Sequence, residues 1–117
     1  YFSQAITPTS NTSLIRATFN GFGGNSTLGA AITFALFRDS IADALATGWC
    51  VRDSGNNIVG PLVLQHQEQP GITTETTYKI RIGNNTAGIG FTLNGTLAVA
   101  YYGGTFASSL LVEEISV

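Results

Sequence analysis

The sequence predicts an all-β protein, an antiparallel β-sandwich of eight to ten short strands. Three observations carry this. Turn residues punctuate the chain at roughly ten-residue spacing, as in sandwiches and barrels. Apolar and polar residues alternate strictly, most clearly where Tyr78, Ile80 and Ile82 oppose Thr77, Lys79 and Arg81. That strand is entered from a Pro70-Gly71 turn and a threonine-rich run, the pattern of a half-buried antiparallel strand.

The elements follow in order. Phe2 to Ile6 is a first strand, ended by Pro8 and the Ser-Asn-Thr-Ser cluster. Ser13 to Asn20 is a second, with Ile15, Ala17 and Phe19 on one face. Gly21 to Ser26 is expected to be a flexible loop, because glycines permit positive φ. Ala31 to Arg38 is a third strand, with Ile32, Phe34 and Leu36 as its core face. Ile41, Ala44 and Leu45 have helical spacing, so Ser40 to Gly48 reads as a loop or short helical turn leading into a strand at Trp49 to Arg52. Residues 53 to 57 form a turn. Ile58 to Gln67 is interrupted by Gly60-Pro61, which marks an edge or bulge. Tyr78 to Ile82 is followed by an Asn84-Asn85 turn. Gly90 to Leu93 and Thr96 to Tyr102 flank Asn94-Gly95, a hairpin signal for a type I′ turn. Ser108 to Val117 is the last strand. Its apolar residues on both faces predict a central, doubly covered position.

The 117 residues are enough for one domain, 1–117, with one core. Charged residues make up only 10% of the chain, against roughly 25% in an average domain. Such a surface is either rich in hydroxyls and amides or covered by further copies; both are expected together. The net charge is −2, and four Arg and one Lys are scattered. No basic stripe tracks phosphates, so nucleic acid is not an expected partner. No apolar run approaches the roughly 18 residues of a membrane span, so no membrane insertion is expected. A start at Tyr1 without Met or a signal-peptide pattern suggests a processed product or an excised domain. Cys50 is the only cysteine and is expected to be a small buried residue beside Trp49.

Catalytic chemistry is sparse. His66 is the only histidine, in a polar run, and no G-x-S-x-G elbow accompanies it. An exposed histidine at a strand end is expected there. Asp39, Asp43 and Asp53 lack calcium-loop spacing, and no Cys/His cluster exists, so no metal or cofactor is expected. Glu113 and Glu114 are strand neighbours and point to opposite faces. Asn11, Asn25, Asn84 and Asn94 head Asn-x-Ser/Thr triplets, which chance explains in so Asn-rich a chain. Phe19, Phe34, Phe91 and Tyr78 fit core faces. Trp49, Tyr101 and Tyr102 lie near strand ends. They are the candidate receptor-binding residues, suited to stacking on sugar rings or anchoring a partner, or else to subunit packing.

Several segments occur in a telling order. They are Ile6-Thr7-Pro8-Thr9-Ser10, Leu14-Ile15-Arg16-Ala17, Ala35-Leu36-Phe37-Arg38-Asp39, Pro70 to Thr74, Thr77 to Gly83, and Ser109 to Ile115. Together they resemble the C-terminal jelly-roll domains of tailed-bacteriophage virion proteins, chiefly tail fibres and spikes. The resemblance spans nearly the whole chain. It implies a homotrimeric jelly roll, similar to tumour-necrosis-factor-like heads, on the virion surface. It implies no enzyme and no cofactor, and a partner that is host surface polysaccharide or protein. The alternative it implies is a capsid decoration or head-fibre protein, bound to other virion proteins with a structural role. Ser40 to Thr47 stands where the family has a shorter turn, so an unusual loop there is expected to be this chain's own. No receptor-contacting residue is carried over. A three-fold assembly would hide a poorly charged flank of each sandwich, with Ala98 and Ala100 beside Leu97 and Val99 allowing close approach.

Overall fold

The computed structural model describes residues 2–27, 29–51, 59–96 and 99–117. Among these residues are ten strands, one short 3-10 segment and no α-helix. No helix is long and apolar enough to cross a membrane. The strands are β1 (Phe2–Ile6), β2 (Leu14–Asn25), β3 (Ala31–Arg38), β4 (Ala46–Val51), β5 (Gly60–Glu68), β6 (Thr76–Asn84), β7 (Phe91–Leu93), β8 (Gly95–Thr96), β9 (Val99–Ala100) and β10 (Ser109–Ile115). A front sheet has the order β1-β6-β3-β4. A back sheet has the order β10-β2-β5, with β7 also paired to β2. All pairings are antiparallel.

The two sheets form a β-sandwich because each strand offers one apolar face. Ile32, Phe34 and Leu36 of β3 and Tyr78, Ile80 and Ile82 of β6 face inward from the front. Ile15, Ala17 and Phe19 of β2 and Leu62 and Leu64 of β5 meet them from the back. Phe19 sits between the sheets, its ring 5.2 Å from that of Phe2 and 6.4 Å from that of Phe34. Each such side chain contributes roughly 1.5–3 kcal/mol by leaving water.

One end of the core is polar. Arg38 and Tyr78 of the front sheet meet Glu68 of the back sheet. An Arg38 Nη1 donates to Glu68 Oε2 at 2.8 Å, and the Tyr78 hydroxyl donates to Glu68 Oε1 at 2.8 Å. Burial, and next the hydrogen bond to Glu68, push the Tyr78 phenol well above its ordinary range.

The first loop is fastened at the same end. The backbone N–H and the hydroxyl of Thr9 both donate to Glu114 Oε1 at 2.8 Å. Hydrogen bonds from Ser13 and then Thr9 hold the Glu114 carboxyl below its ordinary value of 4.5. A depressed folded pKa gives stability that is present above the ordinary value and lost as pH falls through the depressed one. Glu114→Gln is therefore expected to lower the thermal midpoint at neutral pH. The gap to wild type should narrow as the pH drops below 4.5. Thermal melts across that range check this; a gap of constant width excludes the linkage.

Several expectations are corrected. Gly21 to Asn25 is not a loop but the continuation of β2. Its glycines make room rather than turns: a Cβ on Gly21 would lie 2.5 Å from the Phe19 ring, and one on Gly23 would lie 2.5 Å from the Phe91 ring. Gly48 plays the same part under Phe34. Of the two readings of Ser40 to Gly48, the loop is the one seen, up to Leu45, and no helical turn forms; β4 starts already at Ala46 rather than at Trp49. Asn94-Gly95 is not the tip of a hairpin. Asn94, at φ 59, redirects the chain from β7, which pairs with β2, into β8, which pairs with β9. The strand expected up to Tyr102 ends at Ala100, and Tyr101–Gly104 is a 3-10 segment. The final strand lies at the edge of the back sheet, not its centre, and Leu111 is 56% exposed. Cys50 is only half-buried, and His66 is a half-buried position of β5 opposite Ala17 rather than an exposed strand end. The expected edge at Gly60-Pro61 is seen, since β5 borders its sheet. The turn at residues 53–57, Arg52, Ile58, Leu97 and Ala98 lie outside the described residues.

Candidate functional site

The outer surface of the front sheet is built by the residues that alternate with its core positions. From β4 these are Thr47, Trp49 and Val51, because Ala46, Gly48 and Cys50 pair with the inward Leu36, Phe34 and Ile32. From β3 they are Thr33, Ala35 and Phe37, and from β6 they are Lys79, Arg81 and Gly83. Trp49 is 69% exposed. It stands in register with Thr33, which is in turn opposite Gly83. A Cβ on Gly83 would touch nothing, so the floor beside the indole is open.

One row along, Ala35 lies between Thr47 and Arg81. The Arg81 guanidinium sits over the Phe37 ring, 5.1 Å from its centre. Such a contact pre-orders a planar cation while leaving its N–H edges accessible. Beyond it the β3–β4 loop and the sheet border a half-open hollow of about 410 Å³. Lys79 and Arg81 form one wall, and Ser40, Ile41 and Ala42 the other.

Asp39 fixes this loop. It takes a left-handed backbone conformation, φ 50, uncommon for a residue with a side chain. Its backbone N–H donates to the Thr77 carbonyl at 2.8 Å, and its Oδ1 accepts the Thr77 N–H at 2.8 Å. Its carbonyl accepts a hydrogen bond from Lys79 Nζ. The Ile41 N–H closes the turn on the Arg38 carbonyl. Among the described residues, Arg16 and Arg38 are the cations in ion pairs, with Glu113 and Glu68. Lys79 and Arg81 form none there.

Tyr101 and Tyr102 belong elsewhere. They gather with Phe106, whose ring stacks on Phe22 at 4.0 Å. Phe22 projects from the outer face of the back sheet, opposite in sense to the inward Phe19, Gly21 and Gly23. Tyr102 is 78% exposed and also left-handed, at φ 51. The structure thus brings the two tyrosines together and sets Trp49 on the other side of the sandwich. Phe37, Lys79 and Arg81 are the residues that the sequence did not single out. Their alternation was visible, but their meeting depends on the β3–β6 register and on the loop that Asp39 holds.

Among the described residues, no three His, Cys, Asp or Glu side chains are grouped to hold a metal ion. Glu113 and Glu114 diverge as strand neighbours must: Glu113 accepts from Arg16 Nε at 2.9 Å on the outer face, while Glu114 reaches Thr9. Compared with known protein families and with curated proteins, the chain matches no family model and no protein.

Proposed function

We propose that this chain is a non-enzymatic surface module of a bacteriophage virion, a homotrimeric jelly roll that binds a host-cell receptor. The strand order supports the jelly roll. β1 pairs with β6, β2 with β5 and β3 with β4, so three pairs are nested within one another. Every step between consecutive long strands changes sheet except the one from β3 to β4. Such nesting of pairs across two sheets is what a jelly-roll winding would produce.

The observation that carries the reading is the contrast between the two outer faces. The back face presents Leu111 at 56% and Val63 at 59% exposure, and its one described cation there, Arg16, is neutralised by Glu113. Tyr102, grouped with Phe106 over Phe22, adds exposed apolar surface. Such a face is suited to burial between copies. The front face exposes Trp49, Val51 and Arg81, and Arg81 and the half-buried Lys79 form no ion pair among the described residues, which suits a receptor.

Solution mass tests this. Wild type is expected to have three times the chain mass, and Leu111→Arg to yield monomers, because a buried arginine without a partner costs several kcal/mol per site. A wild-type monomer at micromolar concentration excludes the shared back face. A receptor-binding module competes with phage adsorption to cells. Binding to empty capsids with a gain in their heat resistance would favour a decoration protein instead.

A further inference from the structure

We propose that the front face holds an acidic polysaccharide, with a sugar ring stacked on Trp49 and an anionic substituent held by Arg81 and Lys79 at the loop hollow. This ligand assignment rests on the receptor-binding reading and gives it a chemistry.

Trp49 and Arg81 are two strands apart, roughly 10 Å at the usual interstrand spacing, and one row offset. That separation is of the order of two linked sugar rings. Between them the floor is Thr33, Ala35, Thr47 and Gly83, which are small or hydroxyl-bearing and leave a chain of rings room to lie flat. An exposed indole on a rigid sheet is a stacking surface that costs little ordering entropy.

The charge at the far end selects the ligand. Lys79 and Arg81 supply two positive charges against the one carboxylate of Asp39, an excess of one, in a chain whose net charge is −2. The Asp39 carboxylate already accepts the Thr77 N–H. The Arg81 fork, steadied on Phe37, suits a carboxylate, and charge-assisted hydrogen bonds of this kind exceed neutral ones. Ser40 offers a hydroxyl and Ile41, 45% exposed, an apolar edge to the same sugar.

The test uses the whole chain and its single tryptophan as reporter. A short oligogalacturonate is expected to bind and to change Trp49 emission. Its methyl ester has the same rings without charge, and is expected to bind about tenfold more weakly. Polyglycerol phosphate, charged but ringless, should leave the emission unchanged. Arg81→Gln is expected to weaken oligogalacturonate about tenfold with the thermal midpoint unchanged, and Tyr102→Ala to leave binding intact. Equal binding of acid and ester, or full binding by Arg81→Gln, overturns the anion site. An unresponsive indole, or equal emission change with polyglycerol phosphate, overturns the stacking. Because association is measured separately by mass, a trimer that ignores oligogalacturonate sinks the ligand assignment alone, and a monomer sinks the assembly reading.

Discussion

Replacing Glu68 with alanine is expected to destabilise the fold by about 2–4 kcal/mol, less than for a fully buried ion pair because some water reaches this half-buried one. The side chains of Arg38 and Glu68 are only 21% and 17% exposed. Without the carboxylate, the guanidinium loses its counter-charge and the Tyr78 hydroxyl loses its acceptor. The two residues remain side by side, because their backbones are paired in the β3–β6 ladder. Glu68→Gln retains an acceptor for Tyr78 and should cost less, about 1–3 kcal/mol. Arg38→Met combined with Glu68→Met should recover much of the loss, since an apolar pair of similar volume leaves no stranded charge. Urea denaturation of the three variants decides the matter. A Glu68→Ala loss below about 1 kcal/mol would mean that water reaches the site and screens it. Tyr78 adds a pH signature. Its folded pKa is raised, so its contribution is present below the ordinary value of 10.0 and is lost as pH rises above it.

The second large effect is expected at Phe19. Phe19→Ala should cost about 3–5 kcal/mol, through lost transfer energy and the cavity left behind. Phe19 is 1% exposed and joins the two sheets through Phe2 and Phe34. Its ring also covers Gly21, so truncation opens the β2 backbone as well as the core. A conservative Phe19→Leu should lose roughly half as much. Calorimetric unfolding gives the comparison. If Phe19→Ala and Phe19→Leu lost equal amounts, ring volume would not be what the site requires.

Much of this architecture was legible in the chain. The alternation at Ile32 to Leu36 and at Tyr78 to Ile82 marks inward faces because the side-chain period of a strand is two. What misled were residues whose common use differs from their use here. The glycines from Gly21 to Gly24 suggest a turn, yet Gly21 and Gly23 leave space for aromatic rings, a demand set by Phe19 and by the distant Phe91. Asn94-Gly95 has the residues of a hairpin tip, but β7 finds a better partner in β2. Ser109 to Ile115 has apolar residues on both faces, which fits either a central strand or an edge that another copy covers; only the sheet order separates the two. For the site, Trp49 was visible as an aromatic at a strand end. Its separation from Tyr101 and Tyr102 was not, because which sheet receives each strand is a property of the whole winding. Nor could the Arg81–Phe37 contact be read, since it joins strands that are remote in sequence.

The winding itself has a kinetic consequence. β1 waits for β6, and the stretch of β2 from Leu14 to Asn20 obtains its second neighbour only with β10. Synthesis must pass Ile115 before the back sheet can close, although every strand of the front sheet has been made once Asn84 is reached. Refolding dominated by such distant pairings takes roughly milliseconds to seconds. During that interval the β2 edge that will receive β10 is bare, and a neighbouring chain's last strand would fit it as well as its own. Dilution, rather than cooling, is then the natural way to raise the yield of correctly closed molecules.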